Sequence, residues 1–368
     1  MFKKNIFLFL SLSTLSLLAN EPYRGVQFGF FPGYLIAHRE YMANMAAHSY
    51  GFEAVYTSNH TGWNNVDNEY KYLKWGTGIS FFNLGNKELN GNTYAWHIFV
   101  EANLKKREKF QSVLRFGSGV GYFNKPFDFQ SNKKNKAIGS GFNGNMQVMY
   151  NAYFDISKKQ QLVLGFGVTH YSNGNFKRPN LGINMAHFNF GLLQKLNSKK
   201  EFKRKDLPVL FPKNGIEIAL GFANKQIAVA DTRRFNIYSG SLVYYKTYQK
   251  NRIWRLGSDI FIDKTYPYEL FRPETLNNLK LSQITEIAFK AGHEFTFGRI
   301  SIVTDLGTYI YRPSQFKKQT YFKIGFNYFF NKGISAQTRL KSHMAVADYF
   351  HWGAAYRFNP FKTNNETN

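Results

Sequence analysis

An alternation with a period of two residues is the feature that most constrains the fold of this 368-residue chain. In residues 114–122 large apolar side chains take one parity and small or charged residues the other, as in a β-strand with one apolar face. The pattern recurs roughly fifteen times, in segments of about ten residues or more separated by glycine- and asparagine-containing turns. No comparably long segment has the helical period of 3.6. The alternation therefore predicts an all-β chain.

The first 19 residues differ from the rest and predict export. Lys3 and Lys4 precede an apolar run from Ile6 to Leu18, and Ala19 follows it, which is the pattern of a cleaved signal peptide. No later stretch reaches the roughly 18 consecutive apolar residues of a transmembrane helix. Together with the alternation, these features predict an integral protein of the cell outer membrane of a Gram-negative bacterium. The expected fold is an antiparallel transmembrane β-barrel of about 14 strands, within a range of about 12–16.

The expected organisation has five parts along the chain. A signal peptide at 1–19 precedes barrel strands in 20–198, a basic connector at 199–213, further strands in 214–358 and a polar tail at 359–368. One barrel of about 14 strands is the simplest closure, and two stacked barrels of about eight strands each are the alternative. Residues 351–358 resemble the C-terminal assembly signal of outer-membrane barrels. We therefore expect the barrel assembly machinery and outer-membrane lipids as partners.

One hairpin, residues 169–184, carries polar groups on a row that otherwise faces lipid. His170 and Ser172 share the parity of the preceding apolar residues, and Asn184 shares that of the following ones. Polar side chains on such a row are costly unless they are paired. A hydroxyl, an imidazole and a third group that orients the imidazole make up a serine hydrolase site. In the loop between the two strands of the hairpin, Asn173 and Asn180 can present amide donors to an oxyanion.

The pattern His170-x-Ser172-Asn173 followed by Pro179-Asn180-x-Gly182 resembles the outer-membrane lipid A 3-O-deacylases, which are also called acyloxyacyl hydrolases. The resemblance extends over roughly residues 22–195. It implies that His170 is the base and Ser172 the nucleophile, that Asn173 and Asn180 form the oxyanion hole, and that the site faces the outer leaflet.

Two departures from that family stand out. The third catalytic residue of the family is a glutamate, whereas Asn184 occupies the matching position, and no acidic residue occurs between Ser172 and Glu201. Asparagine can orient a histidine but cannot stabilise an imidazolium by charge, so an acid from another strand is an alternative. In addition, the barrels of the family have eight strands, and residues 215–358 lie outside the resemblance.

The charge of the chain bears on its substrate. Lys and Arg number 48 against 23 Asp and Glu, a formal net charge of +25. Basic loops suit the phosphates of lipid A in lipopolysaccharide, and Lys177 and Arg178 beside the motif are candidate substrate-binding residues. A lumen lined by cations would instead indicate an anion-selective pore. A non-enzymatic transport barrel and a lipopolysaccharide-binding structural protein therefore remain alternatives to the esterase.

Several classes of site and partner are not expected. The chain has no cysteine, which excludes a disulfide framework and any thiolate-bound metal. The nine histidines have no metal-ligand spacing, so neither a metal nor a cofactor is expected. Export makes a nucleic-acid partner improbable despite the basic composition.

Overall fold

A computed structural model describes residues 23–60, 63–70, 73–196, 206, 208–266, 268, 280–313, 318–344 and 346–360. The predicted signal peptide, most of the connector and most of the polar tail lie outside these residues. The first half of the chain forms a closed antiparallel barrel in which each strand pairs with the next and the last strand pairs with the first. Its strands are β1 Arg24–Ile36, β2 Ala47–Ser58, β3 Lys74–Asn83, β4 Asn92–Arg107, β5 Phe110–Phe123, β6 Phe142–Asp155, β7 Gln160–Ser172 and β8 Ile183–Leu196.

The second half forms another closed antiparallel barrel. Its last strand pairs with its first, and Phe358 lies opposite Ile216 at the closing seam. The strands are β9 Asn214–Gln226, β10 Arg234–Gln249, β11 Arg252–Asp263, β12 Thr285–Phe297, β13 Ile300–Tyr311, β14 Thr320–Asn331, β15 Ile334–His343 and β16 Val346–Phe358.

The all-β class is confirmed, and sixteen strands lie at the upper end of the expected range. The preferred closure into one barrel was wrong, because the chain closes twice, with eight strands in each barrel. Eight strands leave an interior that side chains alone can fill. In this chain charged and aromatic side chains of the same half fill each interior, for example Arg115 and Tyr153 in the first barrel and Arg255 and Tyr321 in the second.

Alternation separates the two faces of every strand. On β5, Phe116 and Val120 are 44% and 48% exposed on the outer surface, whereas Arg115, which precedes Phe116, is fully buried in the lumen. On β11, Leu256 and Ile260 face outward and Arg255 inward. Apolar residues outside and polar residues inside are typical of a barrel that is surrounded by lipid.

Ion pairs fill both lumens. In the first barrel Arg115 bridges Glu53 and Glu101, with N–O distances of 2.8 and 2.9 Å. In the second, Arg255 and Arg357 both bind Glu217 and Glu294, as one example of a larger network. Removing one member of such a buried network costs about 3–5 kcal/mol, because its partner is left charged and unpaired. Arg115, Arg255 and Arg357 are therefore structural groups with acidic partners.

The loops of the first barrel differ in length between its two rims. Loops 37–46, 84–91, 124–141 and 173–182 form one rim, which we call the site rim. Turns 108–109 and 156–159 and the longer loop 59–73 lie at the opposite rim. Loop 59–73 contains a short helix, α1 Asn64–Glu69, and Glu40–Met45 and Leu281–Gln283 are 3-10 turns. Among the described residues no helix is long and apolar enough to cross a membrane.

The two barrels contact each other at both ends. At the site rim, the backbone N–H of Gln226 at the end of β9 donates to the carbonyl of Asn175, at 2.9 Å. At the other end, the Tyr70 ring stacks on Phe297, with ring centroids 4.7 Å apart. The site rim of the first barrel therefore lies beside the rim of the second barrel that carries loops 227–233 and 264–284.

Candidate active site

The hairpin of β7 and β8 places the predicted polar residues together at the site rim. His170 lies directly opposite Asn184 in the register of the two strands. His170 and Ser172 share the outward row of β7 with Phe166 and Val168, which are 58% and 44% exposed. Ser172 itself is only 8% exposed. Ser172, at the end of this row, is thus covered by neighbouring residues, although its position in the alternation is a lipid-facing one.

A chain of hydrogen bonds fixes which ring nitrogen of His170 carries the proton. His38 Nε2 lies 3.1 Å from the Leu181 carbonyl oxygen, which can only accept, so this nitrogen is the donor. In neutral His38, Nδ1 is then an acceptor and receives a hydrogen bond from Asn184 Nδ2 at 3.0 Å. The other amide atom, Asn184 Oδ1, therefore accepts from His170 Nδ1 at 2.6 Å. This order leaves Nε2 of His170 unprotonated, as a general base requires.

The hydroxyl of Ser172 lies among hydrogen-bond donors from the loop that follows it. Gly174 N–H donates to Ser172 Oγ at 3.1 Å, and Asn180 Nδ2 donates to it at 3.2 Å. Asn173 N–H donates to Asn180 Oδ1 at 2.9 Å, which turns the amide nitrogen of Asn180 toward the serine. Two donors thus converge on the oxygen where an acyl group would attach, and they can serve a neighbouring oxyanion.

Asn173 has a different position from the one expected of an oxyanion donor. Its side-chain nitrogen donates to Ser140 Oγ at 2.7 Å and to the Lys177 carbonyl at 2.8 Å, so both amide hydrogens have partners within the loops. Its backbone N–H orients Asn180, as described above. Asn173 thus connects loop 173–182 to Ser140 of loop 124–141.

Glycines allow the loops to pack closely around the motif. Gly182 has φ +82°, and a Cβ there would lie 2.6 Å from Cε1 of His170, so the imidazole rests against its backbone. A Cβ at Gly139 would lie 2.6 Å from the Lys177 carbonyl oxygen. Since only glycine adopts this φ without strain and leaves this space, the glycine of the motif supports the position of the histidine ring.

The two basic residues beside the motif differ in their surroundings. Lys177 is exposed at the site rim. Arg178 is half-buried against the second barrel, where its backbone N–H donates to Gln226 Oε1 at 2.9 Å and its Nε to the Gln226 carbonyl at 3.2 Å. The sequence predicts both residues to bind substrate, but only the side chain of Lys177 is exposed.

No hydrogen bond joins the His170 ring to the Ser172 hydroxyl, although both residues belong to the described part of the chain. The residues are two apart on one strand face, so their Cα atoms are about 6–7 Å apart and rotation of the serine side chain can bring the groups together. Catalytic hydrogen bonds are often open without substrate and close in its complex. Among the described residues, no cluster of three or more His, Asp or Glu can hold a metal ion.

Sequence reasoning missed His38, the Gly174 N–H and Ser140. His38 lies in the first site-rim loop, 146 residues from Asn184, and no local pattern connects them. The available clue is that His38 lies two residues after the end of β1. Closure of the barrel pairs β1 with β8 and sets Ile36 opposite Asn184, which brings His38 close to Asn184. The Gly174 N–H is a backbone donor whose direction depends on the turn, which side-chain patterns do not report.

Comparisons with known proteins divide the chain in the same way as the two barrels. A family model described as lipid A 3-O-deacylase (PagL) matches residues 46–192, and one described as acyloxyacyl hydrolase, C-terminal domain, matches residues 214–360. No curated protein sequence matches the chain.

Several solved structures match the chain at very low sequence identity and low TM-score. Neisserial surface protein A is 8% identical, covers 48% of this chain and 100% of its own, and has a TM-score of 0.34. CdiB from Acinetobacter baumannii is 10% identical, with coverage of 90% and 60% and a TM-score of 0.19. Acinetobacter baumannii Omp33 is 7% identical, with coverage of 91% and 99% and a TM-score of 0.18.

Proposed function

Since this chain belongs to the lipid A 3-O-deacylase family of outer-membrane ester hydrolases, we propose that Ser172 and His170 carry out its reaction, the removal of an ester-linked acyl chain from lipid A. The observation that carries the assignment is the hydrogen-bond order around His170. Asn184 Oδ1 and His38 hold the ring with its proton on Nδ1. In the proposed role, Nε2 is the atom that takes the proton of Ser172.

The proposed reaction has two steps. In the first, Ser172 Oγ attacks the ester carbonyl carbon while His170 Nε2 takes the hydroxyl proton, and the tetrahedral intermediate then expels the lipid A alcohol, which receives that proton. In the second, His170 Nε2 deprotonates a water that attacks the carbonyl carbon of the acyl-serine, and the tetrahedral intermediate breaks its bond to Ser172 Oγ, which takes the proton back from His170 as the fatty acid leaves. Asn180 Nδ2 and Gly174 N–H donate to the oxyanion in both steps, and Asn173 positions Asn180.

Asn184 takes the place of the carboxylate in this proposal. Every atom of its amide that faces the site has a partner, so it can fix the orientation and tautomer of His170. Being neutral, it does not stabilise the imidazolium by charge. Of the acids in the described residues, none is hydrogen-bonded to His170 or His38, so the proposal uses a Ser-His-Asn arrangement rather than an acid from a neighbouring strand.

The position of the site suits a lipid substrate. Outer-membrane barrels have short periplasmic turns and longer extracellular loops, so we infer that the site rim is extracellular and that Ser172 lies at the level of the outer leaflet. Lipid A carries phosphates, and Lys177 is exposed at this rim to bind one. For Arg178 we propose two roles, substrate binding and contact with the second barrel, because its guanidinium donates to the Gln226 carbonyl.

The lumens do not favour the alternative of an anion-selective pore. Luminal cations such as Arg115 and Arg255 bind carboxylates, so they do not form a row of unpaired positive charge. Between Arg255, Lys290 and Arg339 the second barrel keeps a cavity of about 10 Å³, which is the space of one water molecule. These observations support the esterase over a transport function.

Export and assembly complete the proposal. We expect cleavage after Ala19, and insertion by the barrel assembly machinery guided by the strand that ends at Phe358. N-terminal sequencing of the protein purified from outer membranes tests the cleavage site.

Mass spectrometry of lipid A tests the enzymatic function. Cells that produce the protein should contain lipid A that lacks one acyl chain, and cells that produce Ser172→Ala or His170→Ala at equal level should not. Since both residues lie at a rim, the variants should still show the gel mobility shift on boiling that marks a folded barrel. Deacylation by Ser172→Ala would refute the assignment.

A further inference from the structure

The second barrel touches the loop that carries the proposed oxyanion donors. We propose that it is a positioning element of the esterase site, and that Gln226 at the end of β9 and the first residues of β16 hold loop 173–182 in its active shape. This inference rests on the proposed function of Ser172. It assigns a role in the reaction to a barrel that contains none of the proposed catalytic residues.

Gln226 is the first point of contact. It lies on the outward row of β9 together with exposed residues such as Leu220 and Phe222, yet it is only 5% exposed, because loop 173–182 covers it. Its side-chain nitrogen donates to the carbonyls of Ala228 and Asp231, at 2.8 and 2.7 Å. These two bonds fix the direction of the amide.

The amide oxygen of Gln226 therefore points at the first barrel. It accepts the backbone N–H of Arg178 at 2.9 Å, while the backbone N–H of Gln226 donates to the Asn175 carbonyl at 2.9 Å. The two bonds hold the loop on either side of residues 176 and 177. The Gln226 side chain lies on a lipid-facing row, where unpaired polar groups are costly, and its oxygen finds its partner on the other barrel, so this contact is specific.

The start of β16 is the second point of contact. Asn175 has φ +62° and its side-chain nitrogen donates to the carbonyls of Ala347 and Asp348, at 2.7 and 3.1 Å. The Phe350 ring occupies the space that a Cβ at Gly174 would need, and its Cε2 lies 3.7 Å from the Cβ position of Gly144. Gly144 is the cross-strand partner of Ser172.

These contacts connect directly to the proposed oxyanion donors. Gly174, against Phe350, is the residue whose N–H donates to Ser172 Oγ. Asn175 follows it in the chain, and Asn180, the second donor, follows Arg178 by two residues. A displacement of about 1 Å at such groups can cost about 100-fold in rate. Loss of the contacts should therefore slow the chemical step more than it weakens substrate binding.

Two substitutions in the full-length protein remove the contacts separately. Gln226→Leu removes the amide at nearly constant size. Asn175→Gly removes the bonds to β16 while it keeps a residue that accepts positive φ. The matched control is Asn224→Leu on the same row of β9, because among the described residues the side chain of Asn224 bonds only to Asn236, at 2.8 Å, within the second barrel. Gel mobility on boiling verifies folding of each variant.

The kinetic arm uses purified lipid A in detergent. We expect kcat to fall roughly 10- to 100-fold in Gln226→Leu and Asn175→Gly, with KM changed by no more than about twofold, and no change in Asn224→Leu. An unchanged kcat in both contact variants, or an equal loss in the control, would overturn the proposal.

The second arm does not depend on activity. Hydrogen exchange of peptides that cover 173–182 should become at least about tenfold faster in the two contact variants than in Asn224→Leu, with the barrel strands unchanged. Unaltered exchange would refute the positioning role even if kcat fell. If the unmodified protein does not deacylate lipid A, the proposed function fails, and the exchange arm still decides whether the second barrel holds the loop.

Discussion

Replacing Asn184 with aspartate should make the site a faster esterase. Aspartate has the shape of asparagine, so its carboxylate takes the place of the oxygen that now lies 2.6 Å from His170 Nδ1. The second carboxylate oxygen then faces His38 Nδ1, 3.0 Å from the present amide nitrogen. The tautomer of neutral His38 that carries its proton on Nδ1 can donate to this oxygen, in exchange for the bond of Nε2 to the Leu181 carbonyl, so the carboxylate keeps a partner on each side.

The size of the gain follows from the geometry. The imidazolium that forms during attack lies about 4 Å from the new charge, which gives about 4 kcal/mol of attraction at an effective dielectric constant of about 20. Asn184 is half-buried, so solvent screens part of this attraction and we take about half of it, about 2 kcal/mol, as the stabilisation of the transition state. A stabilisation of about 2 kcal/mol corresponds to an increase in kcat of about 30-fold.

Initial rates of fatty acid release from lipid A, measured at neutral pH in detergent, give kcat directly. Asn184→Glu, which introduces the glutamate expected of the family at this position, should also raise kcat, but less, because the longer side chain must displace the His170 ring or its own backbone. Asn184→Ala should lower it. A rate for Asn184→Asp at or below that of the unmodified protein would refute the view that Asn184 is a neutral substitute for a carboxylate.

Three further substitutions test the surroundings of the site. His38→Phe should lower kcat about tenfold in the same assay, because the amide that orients the base loses its acceptor. Lys177→Gln should raise KM for lipid A in bilayers and weaken its dependence on salt, whereas Arg178→Gln should also lower kcat through its contact with the second barrel. Gly182→Ala should lower both kcat and stability, since the added Cβ would lie 2.6 Å from the His170 ring at a φ of +82°.

Each of these has a result that would contradict it. An unchanged rate in His38→Phe would place His38 outside the orienting chain. Equal effects of the two cation substitutions on KM alone would show that Arg178 acts on the substrate rather than on the loop. A fully active Gly182→Ala would mean that the imidazole does not depend on that close approach. A short uncharged ester, which lacks phosphates, is the control substrate for Lys177→Gln.

The local part of this architecture could be predicted from the sequence. Alternation identifies the lipid-facing row of each strand, and a hairpin with known parity sets His170 against Asn184 without any knowledge of the other strands. The same reasoning separates exposed Phe116 from buried Arg115. These predictions depend only on neighbouring residues and on the pleat.

The parts that could not be predicted depend on closure. Whether eight or more strands form one barrel is decided by the pairing of β8 with β1, residues that are far apart in the chain. That pairing also brings His38 to Asn184, whereas Gln226 reaches Arg178 through the contact between the two barrels. Because the strand pattern is the same in both halves, it contains no signal for where one barrel ends and the next begins.

The ion pairs that fill both lumens also bear on the cell that makes this protein. Arg115 with Glu53, and Arg255 with Glu217, occupy the space through which solutes cross an open barrel. Many copies can therefore reside in the outer membrane without making it more permeable to toxic solutes. Measured uptake of small solutes by cells should accordingly stay the same at low and high amounts of the protein.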